Sequence, residues 1–263
     1  MTEAYIFVNL MGGMGNQMFQ YAAGLLQADV MNGTLMLCKP HTNNHDTQDY
    51  RDVLFKVGNK WDTDIPPHIT LYQENSFSRW NPEQWKFPIL YLYGYFQNYS
   101  VLEPVLPRFK EIILDSLLIQ REVMKLKYHI TTGSAFLHVR RGDYVGLSHI
   151  HHLQDDEYYR IAYNQLTSSK RIYKIYLISD DIEWCKKQDF FKEINPTYVD
   201  EADPVNALAF MCEIKDGAII ANSTFSWMGA YLGTGLKTNA VYYPSKWFEN
   251  KNPELFPEEW VRI

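Results

Sequence analysis

The stretch Ser134-Ala135-Phe136-Leu137-His138-Val139-Arg140-Arg141-Gly142-Asp143-Tyr144-Val145 decides the fold. Its first half is a short apolar run, bounded upstream by Thr131-Thr132-Gly133 and downstream by Gly142, and predicts a buried strand. A histidine and two adjacent arginines sit where that strand runs out. Ligands of open α/β sheets bind beyond the carboxyl ends of the strands, so cations there suit an anion. A forked guanidinium suits phosphate better than an ammonium does. The bland alternative is a surface arginine pair that merely closes a strand. Alternation along the strand puts His138 and Arg140 on one face and Val139 and Arg141 on the other. The two arginines are therefore expected to differ: one meets the ligand, and the other ties down the loop or pairs with a carboxylate such as Asp143.

Downstream, strand and helix signals alternate. A helix is expected over about 155–167 and a buried strand over 172–178, ending in Ser179-Asp180-Asp181 and a helix from Ile182. Tyr198-Val199-Asp200 reads as a short strand, and 203–211 as a helix with Pro204 at its start. Gly217-Ala218-Ile219-Ile220-Ala221 is a further strand that runs through Asn222-Ser223-Thr224-Phe225-Ser226-Trp227 into a helix, and Ala240-Val241-Tyr242-Tyr243 closes the series. Repeated βα units imply a parallel, doubly wound sheet.

Upstream, Tyr5-Ile6-Phe7-Val8-Asn9-Leu10 predicts a strand, followed by Met11-Gly12-Gly13-Met14-Gly15-Asn16-Gln17 and a helix that ends near Asn32-Gly33. A strand, glycine-rich turn and helix can bring backbone amides to an anion. The spacing fits neither a dinucleotide fingerprint nor a P-loop, so a plain tight turn stands beside the functional reading. Residues 39–85 are polar and irregular and should form loops and short elements. Leu90-Tyr91-Leu92-Tyr93-Gly94-Tyr95-Phe96-Gln97-Asn98-Tyr99 reads as a strand entering a turn, whose aromatics line a sugar groove or simply fill the core. Helical periodicity returns over about 101–127, and 128–133 is the expected junction, dividing the chain into domains 1–130 and 131–263.

Composition sets the outer bounds. The chain has 263 residues, 46 % hydrophobic and 21 % charged, which is ordinary for a soluble globular protein of two modest domains. A net charge of −6 argues against a nucleic-acid binder, although a local basic pocket is compatible with it. The three cysteines, Cys38, Cys185 and Cys212, lack metal-ligand spacing and read as reduced core thiols of a cytoplasmic protein. Met1-Thr2-Glu3-Ala4 lacks the features of a secretory signal, and no apolar run reaches the length of a membrane span.

Three expected strand ends carry groups suited to a nucleotide. His138 and Arg140 offer donors to a diphosphate. Asp180 or Asp181, with Ser179 beside them, can accept hydrogen bonds from a ribose or a base edge. Asn222, Ser223, Thr224, Phe225 and Ser226 supply hydroxyls and amides where a helix begins. Ser179 or Asp180, and likewise Ser223 or Thr224, have a structural alternative as helix N-caps.

Taken in order, the segments Gly12 to Ala22, His138 to Tyr144, Ser179 to Cys185, Asn222 to Trp227 and the closing Pro257-Glu258-Glu259-Trp260 strongly resemble the bacterial α-1,2-fucosyltransferases of glycosyltransferase family 11. The resemblance covers nearly the whole chain. It implies an α/β, GT-B-like fold of two Rossmann-like domains facing a central cleft: an acceptor-side domain and a C-terminal domain for GDP-β-L-fucose. The implied reaction is inverting transfer of L-fucose to the 2-hydroxyl of a galactoside. The alternatives are a related transferase of different linkage and a non-catalytic sugar-nucleotide or glycan binder. In the wider group the arginine matching Arg140 meets the donor diphosphate, and the glycine-rich turn with Gly13, Asn16 and Gln17 faces the cleft. Arg140, His138 and Asp143 are the catalytic candidates, and Tyr95, Gln97 and His149 the acceptor-side ones. No cofactor and no metal are expected. The acceptor is an oligosaccharide or lipid-linked glycan, in the setting of O-antigen or capsule assembly. Peripheral attachment at the inner face of the membrane is then an option.

Two departures from the family pattern stand out. Met228 and Tyr231 replace tryptophans in the motif that follows Phe225, which should alter helix packing rather than phosphate contact. The loop Gly146-Leu147-Ser148-His149-Ile150-His151-His152 lacks the glutamate base that related α-1,6 enzymes carry there. The base is thus open among Asp143, His149, His151 and His152. A metal reading of these histidines is disfavoured, because no carboxylate accompanies them in the loop.

Overall fold

The computed structural model describes residues 3–40, 47–74, 80–249 and 253–263. The chain divides into two compact units, Met1–Leu117 with Pro253–Leu255, and Leu118–Asn252 with Phe256–Ile263. Each unit holds one sheet, and every strand pairing in both sheets is parallel.

In the first unit, β1 (Tyr5–Val8) leads through the glycine turn into α1 (Met14–Met31). That helix stops at Asn32, whose left-handed backbone (φ 47°) lets its N–H return to the carbonyls of the last turn. Next come β2 (Thr34–Cys38), β3 (Asn59–Trp61), β4 (Thr70–Gln73) and β5 (Ile89–Tyr93). The sheet order is β3-β2-β1-β5-β4. The short elements expected within 39–85 include β3 and β4, which form the two edges of the sheet. Edge strands carry mixed, half-exposed sequences, so no apolar run betrays them.

The helical stretch after β5 is three helices, α2 (Tyr99–Leu102), α3 (Leu106–Ser116) and α4 (Leu118–Tyr128). The sequence puts the junction at 128–133, whereas the compact units part between Leu117 and Leu118. Partners distant in sequence explain the difference. Arg121 pairs with the buried Glu213 at 2.6 Å, Lys127 pairs with Glu201, and the Tyr128 hydroxyl donates to Glu201 at 2.6 Å. All of these belong to the second unit.

The second unit contains β6 (Ser134–Val139), α5 (Asp156–Ser169), β7 (Lys174–Ser179), α6 (Ile182–Cys185), α7 (Asp189–Ile194) and β8 (Thr197–Val199). It continues with α8 (Pro204–Glu213), β9 (Gly217–Ile219), α9 (Thr224–Leu232), β10 (Val241–Tyr243) and β11 (Val261–Arg262). The order β11-β10-β9-β6-β7-β8 is the dinucleotide-fold order, with β6 as the first strand and β9 as the fourth. All six residues of β6 are buried, as the opening apolar run requires. Leu137, Leu177 and Ile219 are wholly buried in this core, and truncating one to Ala costs about 2–5 kcal/mol. Connections leave β6 and β9 in opposite directions along the sheet, so a crevice opens beyond their carboxyl ends. His138, Arg140, Asn222 and Ser223 lie at those ends.

The departures in α9 act on packing, as expected. Met228 is wholly buried, and Tyr231 stacks on Trp227 with ring centroids 5.4 Å apart. Trp227 also meets Trp260 of the closing motif at 5.2 Å. Among the described residues, no helix is long and apolar enough to cross a membrane.

Candidate active site

In the second unit β6 ends at Val139, so Arg140 is the first residue of a loop. Its guanidinium lies 2.9 Å from Asp180 and 2.5 Å from Asp143, and 5.4 Å from the centre of the Tyr144 ring. A third of the Arg140 side chain remains exposed. Arg141 turns elsewhere. Its guanidinium stacks 3.7 Å over Trp184, with Asp181 at 3.5 Å. The two arginines therefore differ in role, and the carboxylate partnership with Asp143 belongs to Arg140. Gly142 lets the loop pass Asp180, since a Cβ there would sit 2.4 Å from its Oδ2.

Both aspartates after β7 are committed to protein groups. Asp180 Oδ1 accepts the Arg141 N–H at 2.8 Å. Asp181 caps α6 by accepting the Trp184 N–H at 3.1 Å, while the Ser179 hydroxyl accepts the Asp181 N–H at 2.9 Å. Asp181 thus caps α6, Ser179 holds the Asp181 N–H, and Asp180 fixes the arginine loop. Asp180 and Asp181 keep 24 % and 39 % of their side chains exposed, so a nucleotide contact stays open to both.

His138 is 4 % exposed and its ring lies 6.1 Å from that of Phe225. Burial, reinforced by Arg140, pushes its pKa down to about 3, so the imidazole is neutral near pH 7. It is thus a neutral hydrogen-bonding group rather than a standing cation. Its Nδ1 is buried without a partner among the described residues.

At α9, Ser223 occupies the cap position, yet its hydroxyl makes no capping hydrogen bond. Thr224 and Phe225 are half-buried. Ser226 and Asn222 are fold residues. Ser226 is wholly buried and donates to the Ser223 carbonyl at 3.2 Å. The Asn222 amide, 1 % exposed, donates to the carbonyls of His152 at 2.9 Å and Trp247 at 2.8 Å. By type and place both look like donor contacts, but neither has surface left to offer.

The loop from Gly142 to His152 is fastened at several points. Gly142–Val145 forms one 3-10 turn, and the Tyr144 hydroxyl donates to the Asn222 carbonyl at 2.9 Å. The Tyr144 and His151 rings stack at 4.0 Å. His152 Nδ1 lies 2.7 Å from Glu249. Burial lowers the His151 pKa, and its Nδ1 has no partner among the described residues. His149 is exposed. Among the described residues, no group of three or more His, Cys, Asp or Glu side chains is placed to hold a metal ion.

The first unit presents its own sheet edge. Gly12 has φ 73°, a left-handed conformation that favours glycine, and a Cβ there would meet Asn16 Nδ2 at 2.7 Å. A Cβ on Gly13 would meet nothing within 4 Å, so this backbone faces open space. Gln17 is wholly buried and donates to the carbonyls of Gly12 at 2.9 Å and Gln48 at 2.8 Å. It braces the turn rather than meeting a donor. Gln20, which sequence reasoning passed over, braces Met11 by accepting its N–H at 2.9 Å. The signal was the i, i+3 spacing of the two glutamines, which puts them on one helical face looking back at the turn.

Among the acceptor-side candidates, Tyr95 is 41 % exposed, whereas Gln97 is 6 % exposed and donates to Asn16 Oδ1 at 3.0 Å. A residue without any motif joins them. Glu74 follows β4 directly, and its Oε2 accepts the N–H groups of Tyr95 at 2.7 Å and Phe96 at 2.9 Å. Nothing in the polar run 39–85 singled it out.

The family model of Glycosyl transferase family 11 matches residues 2–263. An alpha-1,2-colitosyltransferase of Escherichia coli is 29 % identical over an alignment of 287 residues, covering 98 % of each chain. The O-antigen biosynthesis glycosyltransferase WbnK of the same organism is 26 % identical over 305 residues, covering 97 % of this chain and 99 % of the other. Among solved structures, the fucosyltransferase NodZ from Bradyrhizobium superposes with a TM-score of 0.58 at 10 % identity, over 89 % of this chain and 94 % of NodZ. POFUT1 in complex with GDP gives 0.53 at 14 % identity, over 92 % and 98 %. These likenesses show the GT-B-like fold. On the match that spans nearly its full length, the chain belongs to glycosyltransferase family 11.

Proposed function

We propose that this protein transfers L-fucose from GDP-β-L-fucose to the 2-hydroxyl of a galactoside, with inversion to an α linkage. The observation that carries the reading is Arg140, partly exposed at the carboxyl end of β6, in the unit with dinucleotide-fold strand order. A diphosphate beyond β6 and β9 would meet the Arg140 guanidinium and the amides that open α9, with the unspent Ser223 hydroxyl beside them. When the glycosidic bond breaks, negative charge builds on the departing β-phosphate, and a fixed cation stabilises it. Asp143 and Asp180 hold that cation in place before the donor arrives. No metal takes part in this scheme.

The kinship with an α-1,2-colitosyltransferase supports the linkage and favours a second donor of the same shape, GDP-colitose, which lacks one ring hydroxyl. An O-antigen glycan, free or lipid-linked, is the acceptor class that the WbnK kinship favours. Release of GDP after mixing protein, donor and a β-galactoside tests the reading. GDP formed only when both substrates are present is the expected result. Donor binding without GDP release would make the protein a non-catalytic sugar-nucleotide binder.

A further inference from the structure

Within the second unit, α4 has two opposite faces. One is fixed to α8: Met124 is buried, Arg121 pairs with Glu213 at 2.6 Å, and the Tyr128 ring meets that of Phe210 edge-on at 5.0 Å. The other face is apolar where the outer side of a surface helix is normally polar. Ile119, Val123 and Leu126 follow the i, i+4, i+7 spacing of a single helical stripe and are 75 %, 50 % and 72 % exposed. Leu118, 54 % exposed, opens the neighbouring row, which continues at the same spacing through the exposed Glu122 and Lys125. Scattered apolar residues are ordinary on a surface, but four contiguous ones on a helix mark an interaction site. Among the described residues neither Glu122 nor Lys125 has an ion-pair partner, whereas Arg121 and Lys127 are both engaged within the unit.

We propose that this face binds a second copy of the chain, α4 against α4 in antiparallel, and that it does so independently of the transfer chemistry. A closed two-fold pair uses one patch twice, so the patch must complement itself. A two-fold axis that lies in the plane of contact, perpendicular to both helices, reverses their direction but keeps each row on the same side. Ile119 of one copy then packs beside Leu126 of the other, and Val123 lies close to the axis. Glu122 of each copy comes alongside Lys125 of the other, so both unpaired charges of the row are matched, twice over. A parallel pair would set this row against the opposite flank, where Lys127 is already held by Glu201. One acid and one base in the row also suit a second copy better than an anionic lipid surface, which calls for clustered cations. The anchored side of α4 leaves the face preformed, so little order is lost on pairing. Its four apolar side chains offer roughly half of the ~800 Å² that each partner gives to a standard interface, so the dimer is weak, with a dissociation constant on the order of 10–100 µM.

The test is sedimentation equilibrium of the full chain over about 1–300 µM, a range that brackets the expected dissociation constant. Wild type should pass from monomer to dimer across it. Val123→Glu sets two like charges near the axis and should raise the dissociation constant about 10-fold or more. Because Val123 is exposed in the single copy, the melting temperature of the dilute variant should match that of wild type. Glu122→Lys or Lys125→Glu alone should weaken pairing about 5-fold, and the two together should restore it. A wild type that stays monomeric throughout, or a dimer indifferent to Val123→Glu, would overturn the proposal. So would single charge reversals without effect, or a double reversal that restores nothing. Flotation with phosphatidylglycerol vesicles checks the occupant: a monomer that binds them and loses this in Val123→Glu would assign the face to lipid, against the proposal.

Discussion

Asp180 Oδ2 lies 2.9 Å from Nη1 of Arg140, so a carboxylate at the end of β7 fixes the cation at the end of β6. Its other oxygen holds the next peptide by accepting the Arg141 N–H at 2.8 Å. The contact spans neighbouring strands of one sheet, which makes the cation's position a property of the fold rather than of a flexible side chain. An Asp180→Asn variant keeps an acceptor for Arg141 but loses the charge that orients Arg140. Charge-assisted hydrogen bonds contribute about 1.5–3 kcal/mol, so GDP should bind about 10- to 100-fold more weakly. Unchanged affinity in calorimetry would show that Arg140 needs no such anchor.

The two arginines should fail in different ways. Arg140→Ala, and also Arg140→Lys, is expected to cut the catalytic constant about 100-fold or more, since an ammonium cannot copy the fork. Arg141→Ala gives up its stack on Trp184 and its approach to Asp181. The expected loss there is stability, on the order of 1 kcal/mol, read as a lower melting temperature with turnover largely kept. Equal catalytic losses in two well-folded variants would remove the distinction.

His138 ties stability to acidity. Its pKa in the folded protein is about 3. An unfolded histidine titrates near ~6.5, so only the unfolded state gains a proton between those values. The stabilisation from a neutral His138 is complete above about pH 6.5 and is lost as pH falls toward the folded value, with a slope of up to about 1.4 kcal/mol per pH unit. Urea unfolding of His138→Gln should show a shallower decline over that window. Parallel slopes for the two proteins would assign the acid sensitivity to other groups.

Turnover is expected to proceed without a divalent cation, because Arg140 and the start of α9 supply the positive field at the diphosphate. Activity in excess EDTA should match the untreated enzyme. Loss in EDTA with recovery on adding manganese or magnesium would refute this.

Much of this was legible in the chain because its signals are local. The run from Ser134 to Val139 is apolar enough to announce a buried strand, and the helix starts at Asp155, Asp181 and Asp203 follow simple capping chemistry. What stayed hidden depends on distant partners. α4 belongs with the second unit through Glu201 and Glu213, far along the chain. β3 and β4 are short edge strands with half-exposed sequences, and β11 has only two residues. Asn222, Ser226 and Gln17 look like ligand contacts by type and place, yet their polar atoms turn inward to backbone carbonyls. Glu74 carries no motif and gains meaning only from the turn it clamps.

The linkage of the product tests the proposed transfer most directly. Wild-type protein, GDP-β-L-fucose and a β-galactoside are incubated together, and the product is examined by proton–carbon correlation NMR. The expected spectrum has a new α-anomeric proton correlated with C2 of galactose. A β-anomer, a correlation to any other galactose carbon, or free fucose with no glycoside would overturn it.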